Sequence, residues 1–233
     1  MNNYQNYFSN RNISPESYIN YELPAHLEKV IPENKEALIL DFGCGFGQIL
    51  QCLINKGYHN ANGYDIEPDA INYCKDNGLP IIDGTKNELD KLTSKFDFII
   101  LNHVLEHFPK PEIIPMLVKI RNLLTADGEI YIAVPNAQSN TGAYWAYEDF
   151  THHTLFTGGS LLYVLRQAGF SSIRFIDPDC LEQSSSHLKR FIRKILLRFY
   201  KWNFAFWNSI TLSSFHLPSP QIFSYEIKVL AKF

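Results

Sequence analysis

From residue 37 to residue 177, short apolar runs alternate with stretches whose apolar residues recur at helical spacing. Residues 37–41 predict a buried strand. Residues 48–56 predict a helix, with Ile49, Leu50, Leu53 and Ile54 on one face and Gly57 at its end. Residues 61–66 read as a second strand. Pro68 opens the next helix and Gly78 closes it, the usual asymmetry of proline first and glycine last. Further strands are predicted at 79–83, 96–102, 129–135, 172–177 and 225–233; the run 96–102 is the most apolar and belongs at the centre. Helices are predicted at 111–124, bent at Pro115, and at 159–167, closed by Gly169. Regular alternation of strand and helix predicts an α/β fold, a mostly parallel sheet flanked by helices on both faces. Residues 1–36 read as an N-terminal helical segment, 180–220 as a helical insertion before the last strand, and 1–233 as one domain.

Composition sets bounds. A chain of 233 residues, 45% hydrophobic and 19% charged, has ample apolar surface for a core. A net charge of −3 argues against general affinity for nucleic acid. Cys44, Cys52, Cys74 and Cys180 are scattered, with no CxxC pair, and read as free thiols of a reducing compartment. The polar N-terminus shows no signal-sequence pattern, and no run reaches the roughly 18 apolar residues of a membrane span. The expected location is the cytoplasm.

The candidate chemistry lies where strands end. In an open α/β sheet, ligands bind at the carboxyl ends of the strands. The first strand runs into Asp41-Phe42-Gly43-Cys44-Gly45-Phe46-Gly47. Glycine lets backbone approach a ligand closely, and the helix that follows aims its amides there. Nicotinamide and flavin enzymes use glycine turns too. Here the spacing is Gly-x-Gly-x-Gly, and Asp41 before it offers an anion to an ammonium, which a phosphate site would not need. Asp65, 18 residues after Gly47, ends the second strand where a carboxylate can accept ribose hydroxyls. Asp83-Gly84 ends the third, where a carboxylate can meet an adenine amine. Asn102-His103-Val104-Leu105-Glu106-His107 ends the fourth.

Segments 38–47, 64–66, 97–107 and 123–136 resemble the successive motifs of class I S-adenosylmethionine (SAM)-dependent methyltransferases, a likeness spanning about 36–177 and the last strand. The resemblance implies a Rossmann-like, seven-stranded sheet, SAM as cofactor and methyl transfer. By it Asp41, Gly43 and Gly45 meet the methionyl part, Asp65 the ribose, Asp83 the adenine, and Asn102 underlies the sulfonium. Cys44, Ile66, Gly84, His103 and His107 join the cofactor wall, with Cys44 a small residue that fits, not a nucleophile. The fourth strand lacks the Asp/Asn-Pro-Pro-aromatic segment that base-methylating relatives use to grip a flipped base.

After the fifth strand comes Glu148-Asp149-Phe150-Thr151-His152-His153-Thr154-Leu155-Phe156-Thr157. It resembles segments of methyltransferases acting on surface polysaccharides and other small molecules. A hydroxyl acceptor must lose a proton, and histidine suits that role. His152 or His153 is therefore the expected base of an O-methyltransferase, oriented by Asp149 or Glu148; the other reading is that both serve helix capping or backbone contacts. Asp149, His152 and His153 also have the side chains of a metal site, yet no metal is expected. The expected acceptor is a sugar or sugar nucleotide of a surface glycan. Amine, carboxylate, phosphorus-bearing or quinone-like acceptors, or a catalytically silent SAM-binding module, are the rivals.

Between Glu182 and Glu226 there is no acid but six bases, Lys189, Arg190, Arg193, Lys194, Arg198 and Lys201, so the remainder holds 15 bases against 24 acids. Leu188, Phe191, Ile192, Ile195, Phe199, Trp202 and Phe206 recur between them at helical spacing. This stretch, 188–207, packs on the domain or on a twin subunit, or forms a lid that meets a phosphate-bearing or lipid-linked acceptor or an anionic membrane.

Overall fold

A computed structural model describes residues 6–86, 89, 92, 95–182, 186–216 and 218–233. Seven strands form one sheet: β1 (Ile39–Phe42), β2 (Ala61–Asp65), β3 (Ile81–Asp83), β4 (Phe96–Asn102), β5 (Leu124–Pro135), β6 (Ser172–Phe175) and β7 (Glu226–Lys232). Their spatial order is β3-β2-β1-β4-β5-β7-β6, parallel throughout except for β7, which runs against both its neighbours. The seven-stranded α/β fold matches the expectation.

β4 lies between β1 and β5, with Phe42 opposite Leu101 and Asn102 opposite Ala133. Its alternate residues feed opposite faces. Ile99 and Leu101 join Ile113 and Leu117 of α5 (Lys110–Arg121) and Leu161 of α7 (Gly158–Gln167). Phe98 and Ile100 join Leu50 and Leu53 of α3 (Gln48–Asn55) and Cys74 of α4 (Pro68–Asp76). Burial on both faces explains the continuous apolar run from Phe98 to Leu101 in β4.

Several expected boundaries move. β5 begins at Leu124, not at 129, because Leu124 pairs with Phe96 and carries the polar residues Thr125 and Asp127 into the strand. α5 is correspondingly shorter than 111–124 at its end and starts at Lys110; Pro115 lies inside it. The N-terminal segment is a string of short turns, α1 (Tyr7–Asn10), a turn at Pro15–Tyr18 and α2 (Ala25–Glu28). The insertion holds α8 (His187–Ile210), following α6 (Gly142–Glu148) and α7 in the chain.

Candidate active site

The strand order reverses between β1 and β4, and a cavity of about 670 Å³ opens there at their carboxyl ends. Phe42, Gly43, Gly45, Gln48, Asp65 and Asn102 line its floor and sides. Gly43 adopts φ +79°, and a Cβ there would stand 2.5 Å from Val104 Cγ2, so the turn admits no side chain at this position. Gly45 adopts φ +54°, and its amide donates to Asp65 Oδ2 at 2.7 Å, locking the turn of β1 to the end of β2. Asp65 Oδ1 accepts from the amides of Ile66 (2.8 Å) and Glu67 (2.9 Å). Burial raises the Asp65 pKa against the pull of these amides.

Asp41 is buried, and its Oδ2 has no hydrogen-bond partner among the described residues. Burial, then the neighbouring Asp65, push its pKa up to about 7. Gln48 Oε1 and Glu67 Oε1, both on lining residues, are likewise buried acceptors without a donor. A wall of acceptors lacking donors fits a ligand bearing an ammonium and sugar hydroxyls.

Asp83 and Gly84 stand apart from the lining residues. Asp83 accepts from Lys75 (2.8 Å) and Thr85 Oγ1 (2.6 Å) and pairs with Lys86 at 3.2 Å, which together hold its pKa well below the ordinary range. Cys44 is buried below the turn, its Sγ against Gly63, in keeping with a small residue chosen for space. Ile66 is part of the lining.

A second cavity of about 300 Å³ adjoins the first; Tyr7, Arg11, His103, His107 and Tyr225 line both. Glu106, Trp145, Asp149 and His152 complete much of its wall. Asp149 is buried and accepts at Oδ2 from the Tyr7 hydroxyl (2.6 Å), pairs there with Arg11 (2.7 Å), and accepts at Oδ1 from Thr151 Oγ1 (2.6 Å) and N (3.0 Å). Burial opposes ionisation, but these hydrogen bonds prevail and lower its pKa to about 2. Since Thr151 donates to Asp149, its oxygen accepts from His107 Nδ1 at 2.8 Å.

His152 Nδ1 lies 2.7 Å from the Trp145 carbonyl. A carbonyl only accepts, so Nδ1 donates and Nε2 is the nitrogen left for other partners. Nε2 lies 3.6 Å from Asp149 Oδ2. His153, the other expected base, lines neither cavity; its side chain is exposed while its amide donates to the Glu106 carbonyl at 2.8 Å. The turn closed by the His152 amide on the Asp149 carbonyl at 3.0 Å places one histidine in the cavity wall and leaves the next exposed. The metal set considered from sequence is not assembled, because His153 points away. Instead Glu106, His107 and His152 place donor atoms within 4.8 Å of one another.

His103 adopts φ +57°, an uncommon conformation for a side-chain-bearing residue. Nδ1 lies 3.2 Å from Glu106 Oε1 and Nε2 lies 3.2 Å from Glu226 Oε2. Burial alone would lower its pKa; the two carboxylates outweigh it and raise the pKa to about 10. His103 is thus an imidazolium, not a base.

The site also draws on residues that motif reading passed over. Tyr7 and Arg11 come from the N-terminal turns, and Tyr225 and Glu226 from the entry to β7. Glu226 and Lys228 alternate with apolar residues at the start of β7, which was a readable sign of an inward polar pair.

This arrangement defines a SAM-dependent methyltransferase. A family profile described as a methyltransferase domain matches residues 16–174, and the chain belongs to that family; its cofactor is S-adenosylmethionine. A SAM-dependent methyltransferase structure from Archaeoglobus fulgidus is 21% identical with a TM-score of 0.63, covering 90% of this chain and 92% of that one. A methyltransferase structure from Mesorhizobium loti is 15% identical with a TM-score of 0.56, covering 89% and 95%. The plantazolicin methyltransferase BamL, solved with a triazolic desmethylPZN analog and SAH, is 19% identical with a TM-score of 0.53, covering 90% and 80%. No curated relative matches by sequence.

Proposed function

We propose that the enzyme methylates a hydroxyl of a small-molecule acceptor, a sugar or sugar nucleotide of a surface glycan, with His152 as general base. The observation that supports this reading is the contact of His152 Nδ1 with the Trp145 carbonyl, which leaves Nε2 for other partners in a residue lining the cavity that adjoins the cofactor cavity.

On this reading the donor-poor wall receives the cofactor: Asp41 serves its ammonium, Gln48 and Asp65 its hydroxyls, Asn102 underlies the sulfonium, and Ile66 offers the adenine an apolar face. Asp83 reaches the adenine only by giving up Thr85 or a lysine. When bound, SAM supplies an electrophilic methyl group whose leaving sulfide needs no proton. The protein therefore contributes alignment and one proton acceptor. With SAM bound, His152 would take the proton of the acceptor hydroxyl while that oxygen displaced the sulfide from the methyl carbon. The resulting imidazolium lies 3.6 Å from Asp149, which stays ionised at neutral pH. The imidazolium of His103 adds a fixed positive charge to the same wall.

The test offers purified enzyme and labelled SAM to sugar nucleotides, lipid-linked glycans, amines and carboxylates, and reads S-adenosylhomocysteine release. Turnover on a hydroxyl supports the reading. Turnover confined to amines or carboxylates removes the need for a base and overturns it. Binding of SAM without any turnover favours a silent module.

One arrangement favours a second reading of the same cavity. The donor atoms of Glu106, His107 and His152 lie close enough to hold a divalent cation. Such a cation would acidify the acceptor hydroxyl in place of a base. Loss of turnover in EDTA, restored by one divalent metal, would decide for it.

A further inference from the structure

Helix α8 is inverted relative to an ordinary surface helix. At about 100° per residue, Leu188, Ile192, Ile195, Phe199, Trp202 and Phe206 form one stripe along its length. The opposite side meets the body: the Tyr200 hydroxyl donates to Asn140 Oδ1 at 2.9 Å, Lys201 pairs with Asp179 at 2.8 Å, and Phe204 packs on Phe223 with ring centroids 4.7 Å apart. The apolar stripe consequently faces solvent, with Phe199 63% and Trp202 67% exposed, and no residue of the helix is buried. A contiguous exposed apolar stripe of this length marks an interaction surface.

Charge selects the partner. Six bases and no acid lie in α8, and Lys189, Lys194 and Arg198 are exposed beside the stripe. Pairing the stripe with that of a second copy would bring the exposed Lys189, Lys194 and Arg198 of two helices together. An anionic lipid surface supplies the missing counter-charges and takes up Phe and Trp at its interface. Among the described residues no helix is long and apolar enough to cross a membrane, so α8 would lie on one.

We propose that α8 is a membrane-surface anchor that lays its Leu188–Phe206 stripe into an anionic lipid bilayer. Its Tyr200 contact is to Asn140, at the start of the segment that carries Trp145 and Asp149 to the second cavity. The anchor is independent of which atom is methylated.

The test is sedimentation of the full chain with vesicles of phosphatidylcholine, with and without phosphatidylglycerol, at low and high salt. The expected result is about tenfold stronger partitioning onto the anionic vesicles, weakened by salt. The double variant Phe199→Ser with Trp202→Ser, and separately the triple variant Lys189→Glu, Lys194→Glu and Arg198→Glu, should each reduce partitioning about tenfold. All five positions are exposed, and S-adenosylhomocysteine titration checks that the body still folds. Equal or absent binding to both vesicle types overturns the proposal, as does binding that neither variant weakens. A dimer in analytical ultracentrifugation that Phe199→Ser with Trp202→Ser dissociates, without vesicle binding, assigns the stripe to a second copy instead. The vesicles carry no acceptor, so failure here leaves the methyl-transfer reading untouched.

Discussion

The ring of His103 stands 3.2 Å from the carboxylate of Glu226, 123 positions away in sequence, and joins the end of β4 to the start of β7. Glu226 also pairs with the buried Lys228 at 3.2 Å. One carboxylate therefore stabilises two cations in a wall that touches both cavities. Burial works against ionisation of Glu226, and the cations prevail, holding it at about 2.

Glu226→Gln leaves Lys228 with Asp177 at 3.8 Å and the Cys180 thiol at 3.3 Å, and His103 with Glu106. Lys228 is fully buried, and removing a partner from a buried pair costs about 3 kcal/mol, roughly 6 °C or more in Tm for a chain of this size, whereas the His103 pair, 40% exposed at the histidine, adds less. His103 titrates at about 10 in the fold and near 6.5 when unfolded. Its contribution is complete below 6.5 and is lost as pH rises through about 10. Thermal melts from pH 6 to 10 should therefore show wild-type Tm falling more steeply than that of Glu226→Gln. Parallel slopes would mean that Glu226 does not hold the imidazolium.

The two adjacent histidines separate cleanly. His152→Ala should lower kcat about a hundredfold or more, and His153→Ala less than about threefold, with SAM affinity unchanged in both. Steady-state kinetics beside isothermal titration checks this. Equal losses in the two variants would remove His152 from the role of base.

On the proposed reading, Asp41 trades stability for binding. Its pKa of about 7 means that the fold resists its ionisation; its contribution favours folding below the ordinary carboxyl range and is lost as pH rises through about 7. Asp41→Asn removes that charge at nearly constant shape. The ligand-free variant should melt higher than wild type at pH 8, by about 3 °C or more, and the gap should close toward pH 4. SAM affinity should fall at least about tenfold, because an ammonium partner is lost. A variant less stable at pH 8 would show that Asp41 has an internal partner.

Much of this was legible in the chain, and what escaped did so for a physical reason. β4 declared itself through an apolar run that only a doubly covered strand needs. The turn at 41–47 declared itself through glycines that its conformation requires. Asp83 reads as an adenine partner because it ends a strand, as Asp65 does opposite it in register, and its internal partners are not legible. Lys75 and Lys86 on neighbouring elements occupy it, and sequence does not show which side chains meet across a turn. His152 and His153 were indistinguishable because their difference is one of direction, set by where the Trp145 carbonyl points. Tyr7 and Arg11 lie in short turns without periodicity, and their partner Asp149 is 142 positions beyond Tyr7.

That long-range contact supports a last prediction. Tyr7 donates to Asp149, and burial followed by the nearby carboxylate pushes its hydroxyl pKa far up, so it remains a donor across the working pH range. The contact fastens the N-terminal turns across both cavities, where Phe8 also stacks near Phe46 of the glycine turn at 4.5 Å. A hydrogen bond to a charged group is worth about 1.5–3 kcal/mol, so Tyr7→Phe should raise opening of residues 6–21 about tenfold or more. Hydrogen exchange measured by mass spectrometry should show faster labelling of that segment with strands β1 and β4 unchanged. S-adenosylhomocysteine should slow it in wild type and restore it only in part in Tyr7→Phe, because the ligand retains Phe8 contacts but not the Asp149 anchor. Unchanged labelling in the variant would mean that Arg11, paired with the same carboxylate at 2.7 Å, holds the segment by itself.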